Sequence, residues 1–213
     1  MTPEGGYRTL GGRGTAVYSE KKSDFLGYAA PCETEEEALA ILSGIRKKHG
    51  DARHIAYAYV LRDRHTARFS DDGEPSGTAG APILEFLKKT GIEDAILCVV
   101  RYFGGILLGT GGLTRAYGKA AKDAAEAAGI AVLVPFTVFS VSCSYGDYQK
   151  LTRLVPLFGV REEQTVYETG VTVSGSLPSE KRDAFAAAVT EATSGGVSVL
   201  FSGERFDRVP ESI

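Results

Sequence analysis

Residues 100–117 read Val100-Arg101-Tyr102-Phe103-Gly104-Gly105-Ile106-Leu107-Leu108-Gly109-Thr110-Gly111-Gly112-Leu113-Thr114-Arg115-Ala116-Tyr117. The stretch joins two elements through a glycine-rich run. Upstream, Ala95 through Tyr102 is an apolar run of strand length, which predicts a buried strand over 95–102. Downstream, an alanine-rich segment predicts a long helix over 112–128, stopped by Gly129. At 100° per residue, Leu113, Ala116, Tyr117, Ala120, Ala121, Ala124 and Ala128 share one face of that helix. Arg115, Lys119 and Lys122 fall on the opposite face. So small an inner face implies close packing on a sheet.

Working back towards the N-terminus, two strands are expected over 14–19 and 23–30, joined through Lys21-Lys22. A helix starts at Thr34, because Thr34 and Glu37 have the spacing of a capping box. Glu35, Glu36 and Glu37 sit at the positive end of its dipole, and Arg46, Lys47 and Lys48 at the negative end. Ala38, Leu39, Ile41, Leu42 and Ile45 form its apolar stripe, and Gly50 is the expected stop. Arg53–Leu61 and Arg64–Ser70 read as two strands whose connection lacks a turn glycine or asparagine. A polar turn-rich segment follows from Asp71 to Gly80, then a short helix with Pro82 in its first turn and its end near Gly91.

Beyond Gly129 the pattern changes. Phe139, Val141 and Cys143 alternate with Ser140, Ser142 and Ser144, as a half-buried strand requires. A helix over 147–157, limited by Pro156, strands over 160–168 and 171–177, a helix over 179–193 and a strand over 196–202 complete the chain. The order is β-α-β-β-α-β, the split-βαβ or ferredoxin-like arrangement. The fold class is therefore α+β, in two domains, 1–130 and 131–213.

With 213 residues, 43% hydrophobic and 24% charged, the composition is that of an ordinary globular protein and excludes a disordered chain. The net charge of −3 excludes a strongly basic nucleic-acid module, so any such role rests on a local patch. Residues 1–130 hold 17 Lys+Arg and 17 Asp+Glu, whereas 131–213 hold 7 and 10. The first part is where an anion finds most cations. Three widely separated cysteines without a Cys-x-x-Cys pair argue against a disulfide scaffold or a cysteine zinc site. No apolar run reaches the ~18 residues of a membrane span, and residues 1–6 lack the features of a signal peptide. The expected location is the cytoplasm.

Three constellations carry chemistry. The acidic triplet Asp71, Asp72 and Glu74, with Ser76 and Thr78 beside it, has the carboxylates for a divalent metal or acid–base work. The alternative is a capped turn, since Asp and Gly favour turns. The glycines Gly104, Gly105, Gly109, Gly111 and Gly112 precede a helix, where backbone N–H groups attract anions. They match neither the Gly-x-x-x-x-Gly-Lys-Ser/Thr nor the Gly-x-Gly-x-x-Gly pattern, and the alternative is close packing. The third is a basic comb: Arg64, Thr66 and Arg68 on one strand face, then Arg101, Tyr102 and Phe103, then Arg115, Lys119 and Lys122. Arginine beside exposed aromatics is the composition of a phosphate-tracking, base-stacking surface. The alternative is pairing with Asp63, Asp71, Asp72 and Asp123. Ser76 lies in Pro-Ser-Gly rather than Gly-x-Ser-x-Gly, and His49, His54 and His65 form no evident catalytic set.

Ser70 through Gly80 resembles the first signature of the IMPACT/YigZ family, and Val100 through Tyr117 resembles the second. Lys22-Ser23-Asp24-Phe25 and His54 through Tyr59 are similar to its flanking pieces. The resemblance covers about 15–128 strongly, and residues 131–213 more weakly resemble the small C-terminal domain of bacterial members. It implies a first domain with the fold of ribosomal protein S-five domain 2, as in elongation factor G domain IV, and a ferredoxin-like second domain similar to elongation factor G domain V. Eukaryotic relatives are regarded as translation regulators that compete for the activator of an initiation-factor kinase. They carry a different extra domain, so that pathway is not transferred. The resemblance supplies no agreed catalytic residue, no cofactor and no metal.

The expectation is a non-enzymatic protein that binds RNA or the ribosome and regulates translation, with a protein partner at the second domain. Arg64, Arg68, Arg101 and Arg115 would contact phosphates and Tyr102 or Phe103 would stack, with Lys119 alongside. The alternative is an enzyme or binding protein for a phosphorylated small molecule, with the anion at the glycine run.

Overall fold

Lys21 and Lys22 both take positive φ, 46° and 65°. That geometry is a two-residue hairpin turn. It joins β2 (Gly14–Glu20) to β3 (Ser23–Pro31), whose register runs from Gly14 opposite Ala29 to Glu20 opposite Ser23. The computed structural model describes residues 5–209, without the side chain of Arg64. The chain divides into two units, Tyr7–Val132 and Leu133–Val209.

In the first unit, β4 (His54–Leu61), β5 (Thr66–Ser70) and β6 (Ala95–Tyr102) join β2 and β3 in an antiparallel sheet of order β2-β3-β6-β4-β5. β6, central and flanked on both sides, is buried from Ala95 to Arg101, which explains its unbroken apolar run. One face carries α1 (Glu35–Lys48), whose Ala38, Leu42 and Ile45 pack on Ile55, Tyr59, Ile96 and Val100. Thr34 Oγ1 accepts from the Glu37 N–H at 3.2 Å, while the Glu37 carboxylate accepts from the Glu33 N–H at 2.8 Å. The helix stops at a His49 cap, one residue before the expected Gly50.

The other face carries α2 (Gly80–Thr90) and α3 (Thr110–Ala128). Leu113, Ala116, Tyr117, Ala120, Ala121 and Ala124 of α3 pack against the sheet with Phe25, Ala29 and Val99, as the small inner face predicts. A Cβ on Gly27 would run into the Ala120 carbonyl, so glycine is what lets helix and strand approach. A short strand, β1 (Tyr7–Leu10), had no counterpart in the sequence reading; its Arg8 carbonyl accepts from the Glu93 N–H at 2.9 Å.

The second unit contains most of β7 (Ile130–Cys143), then α4 (Tyr145–Phe158), β8 (Arg161–Tyr167), β9 (Val171–Pro178), α5 (Arg182–Ala192) and β10 (Val199–Val209). β7 pairs with β9, with β10 and with β1, and β9 pairs with β8, so the strands of this unit run β10-β7-β9-β8. This is the ferredoxin-like order expected from the sequence. Phe139, Val141, Leu151, Val173, Phe185 and Val189 make the core. The expected strand over 196–202 begins later and runs longer, at Val199–Val209.

Candidate nucleic-acid interface

The Asp71–Gly80 segment folds around its own carboxylates. Asp71 accepts from the N–H groups of Gly77, Ala79 and Gly80 at 2.9, 2.9 and 2.8 Å, serving as the missing side-chain cap of α2. Burial pushes the Asp71 carboxyl up, but those donors and the Ala81 N–H outweigh it, and its pKa ends below the ordinary 3.8. Asp72 accepts from the Ile55 N–H at 2.7 Å and from Arg46 at 3.2 Å. Glu74 is buried and accepts from Arg101 at 2.7 Å and from the Tyr117 hydroxyl at 2.8 Å. Thr78 donates to the Pro75 carbonyl at 2.6 Å, and Ser76 is an exposed turn residue. The three carboxylates thus point to three different sets of protein donors rather than converging on one ion.

Arg101 departs from its expected role as an exposed phosphate contact. Its side chain is 8% exposed, paired with Glu74, and its guanidinium carbon lies 5.5 Å from the Phe25 ring centre and 5.3 Å from that of Phe103. Its Nε has no hydrogen-bond partner among the described residues. Tyr117, held between Phe25 and Glu74, has its phenol pKa raised by burial and then by the Glu74 charge.

Tyr102 points to the opposite side of β6, towards α1. Its hydroxyl donates to Asp51 at 3.0 Å and meets His49 Nδ1 at 2.9 Å, while His49 Nε2 lies 2.6 Å from the Tyr28 hydroxyl. The consistent assignment is Tyr28 donating to Nε2 and Nδ1–H donating to Tyr102. Burial, then the neighbouring Lys48 charge, lowers the His49 pKa below 6.5. His54, opposite Arg101 in the sheet, donates from Nδ1 to the Asp72 carbonyl at 2.9 Å.

These residues surround a cleft of about 640 Å³ at one end of the sheet, lined by Asp51, Arg53, His54, Arg101, Tyr102, Phe103 and Leu107. Phe103 is 50% exposed at its wall, and the loop beyond displays Ile106 and Leu107. Gly104 sits where a Cβ would strike the Lys22 carbonyl, which fixes the loop against the β2–β3 turn. Gly105 and Gly109 have φ of 85° and 71°. The helix begins at Thr110, so Gly111 and Gly112 belong to its first turn rather than to the loop. Arg115 is exposed and its guanidinium approaches to 3.8 Å of the position a Gly111 side chain would occupy. Lys119 is tied to Asp123 at 2.5 Å.

The basic comb does not form one surface. Arg64 lies in a 3-10 turn, Asp63–His65, not on a strand, because the chain reverses there with His65 at φ 48°. Its side chain lies outside the described residues. Arg68 is exposed opposite Tyr59, on the α1 side of the sheet, whereas Arg101 faces α3. Period two relates Arg68 to Thr66, but neither lines the cleft. Arg53, His54 and Asp51 do line it, and sequence reasoning did not select them.

Two α+β units, one of ferredoxin-like order, and a glycine-rich loop beside a buried carboxylate–arginine pair define the class. The Impact N-terminal domain model matches residues 21–125, and a domain of unknown function, DUF1949, matches 141–195. IMPACT family member YigZ of Escherichia coli is 36% identical over 192 residues, covering 87% of this chain and 93% of that protein. IMPACT family member YvyE of Bacillus subtilis is 35% identical, covering 82% and 81%. A crystal structure of a hypothetical protein aligns with a TM-score of 0.60 at 33% identity, over 94% of this chain and 97% of that one. The chain belongs to the IMPACT family. Protein IMPACT of Oryctolagus cuniculus is 30% identical over 95 residues, which span 43% of this chain and 30% of that protein. No helix among the described residues is long and apolar enough to cross a membrane.

Proposed function

We propose that this protein binds single-stranded RNA, free or on the ribosome, through the cleft of its first unit, and acts in translation without catalysing a reaction. The observation that carries the reading is Phe103. An aromatic ring half exposed at a cleft wall, held beside an arginine that is itself fixed by Glu74, is a rigid stacking platform for a base. Arg53 in the cleft and Arg115 over the first turn of α3 supply phosphate contacts, and the N–H groups of that turn favour an anion. Asp51 offsets part of the cleft's positive charge. The binding is therefore local and selective rather than a general affinity for polyanions.

The test is fluorescence anisotropy with a labelled RNA decamer across a salt series, with ribosome co-sedimentation in parallel. Two phosphate contacts give a slope of log K against log salt of about −1.4. Phe103→Ala weakens binding by on the order of 1–3 kcal/mol, the range for one base–aromatic stack. Absence of RNA and ribosome binding at low salt, or unchanged binding by Phe103→Ala and Arg115→Ala, overturns the reading.

A further inference from the structure

α1 covers only part of its side of the sheet. It packs on β4 and β6 and leaves the edge strand β2 open, where Val17 is 67% exposed. Between the flank of α1 and β2–β3 lies a groove of about 470 Å³ that shares no lining residue with the cleft. Its floor includes Tyr28, Ala30, Ile41 and Ile45, and its charged lining residues are Arg13 and Lys48. Among the described residues no carboxylate lines it. The Lys48 ammonium lies 5.2 Å from the Tyr28 ring centre, so one cation is already held over the apolar floor.

Gly44 is one of the residues that line the groove. It lies inside α1, without a positive φ, and a Cβ there would meet nothing within 4 Å. An internal helical glycine is unfavourable relative to alanine, because it has more backbone freedom to lose. Nothing within the unit demands it, unlike Gly27, which touches α3. A glycine that weakens its own helix and opens onto a groove is a place where another backbone comes close.

We infer that this groove receives an acidic amphipathic helix from a protein partner. The apolar side of that helix lies over Ile41 and Tyr28, its backbone comes close at Gly44, and its carboxylates meet Arg13 and Lys48. From Ala40 to Lys48 the wall is about 12 Å long at 1.5 Å per residue, so two turns of the partner are engaged. The charge of the groove selects the sign of the partner, and its apolar floor selects an amphipathic segment over a merely acidic tail.

The test uses the full chain, labelled with nitrogen-15, and two synthetic 15-residue helical peptides. Both carry Leu and Ala at i, i+3, i+4 and i+7; one carries Glu and the other Lys at the remaining positions. The Glu peptide is expected to move the amide signals of Thr15, Ala40 and Gly44, and to bind at least ten-fold more weakly to Gly44→Met and to the Arg13→Glu/Lys48→Glu double variant. Gly44→Ala is expected to melt at or above the wild-type temperature. Equal binding of the Lys peptide, undiminished binding to Gly44→Met, or a lowered melting temperature for Gly44→Ala overturns the inference. So does movement of the same signals with rising protein concentration alone, which would make a second copy the occupant. RNA binding by Phe103→Ala reads a separate site, so neither result decides the other.

Discussion

Replacing Glu74 with Gln tests whether the buried Glu74–Arg101–Tyr117 cluster organises the cleft. The substitution keeps the side-chain shape and removes one charge. The Arg101 and Glu74 side chains are 8% and 4% exposed, so the guanidinium left behind stays charged, is buried and has lost its counter-charge. Breaking such a pair from one side costs about 3–5 kcal/mol. The first unit has about 125 residues, for which 1 kcal/mol shifts the midpoint by about 4 °C, so the expected loss is about 12–20 °C. The assay is differential scanning calorimetry of the full chain. Glu74→Leu with Arg101→Met removes both charges and is expected to recover most of the loss, because a buried pair often contributes little against an apolar replacement of similar volume. A shift below about 4 °C for Glu74→Gln, or a double variant as unstable as the single one, would refute the assignment of Arg101 to a buried structural pair.

Three further outcomes follow from other parts of the first unit. Asp71 has a lowered pKa, so the stability it contributes is present above its unfolded value of 3.8 and is lost as pH falls through the lower folded value; acid unfolding of Asp71→Asn is expected to show a shallower pH dependence than wild type. His49 also has a lowered pKa, but as a base it must stay neutral in the folded state; stability is expected to fall as pH drops below 6.5, and its NMR titration midpoint to lie below that value. Gly27→Ala forces α3 away from the sheet at Ala120, and urea denaturation is expected to report a loss of at least about 1–3 kcal/mol.

Much of the fold is written locally. Thr34 and Glu37 mark the start of α1, Lys21-Lys22 mark a hairpin, and the alternation of Phe139, Val141 and Cys143 marks β7; each is a short-range signal that the tertiary structure leaves in place. β1 was not legible because Tyr7–Leu10 is too short to display a period. The Arg64 turn was not legible because no glycine or asparagine announces it, and His65 takes positive φ instead. For the cleft, the signature stretches contain Phe103 and the glycine loop. They did not give the roles within them. Glu74 and Arg101 are 27 residues apart, and nothing local says that one arginine is consumed by one glutamate. Arg53 and His54 reach the cleft because β4 begins beside the end of β6, a fact of sheet order rather than of composition.

The most direct test of the proposed RNA binding is a map of the residues that respond to RNA. Titrating a single-stranded RNA decamer into the nitrogen-15-labelled full chain reads that out residue by residue. Signals of Arg53, His54, Phe103, Leu107 and Gly111 are expected to move together and to saturate at one affinity that weakens with salt. Saturable binding that moves other residues and leaves these five unchanged, or no movement at all at low salt, would contradict it.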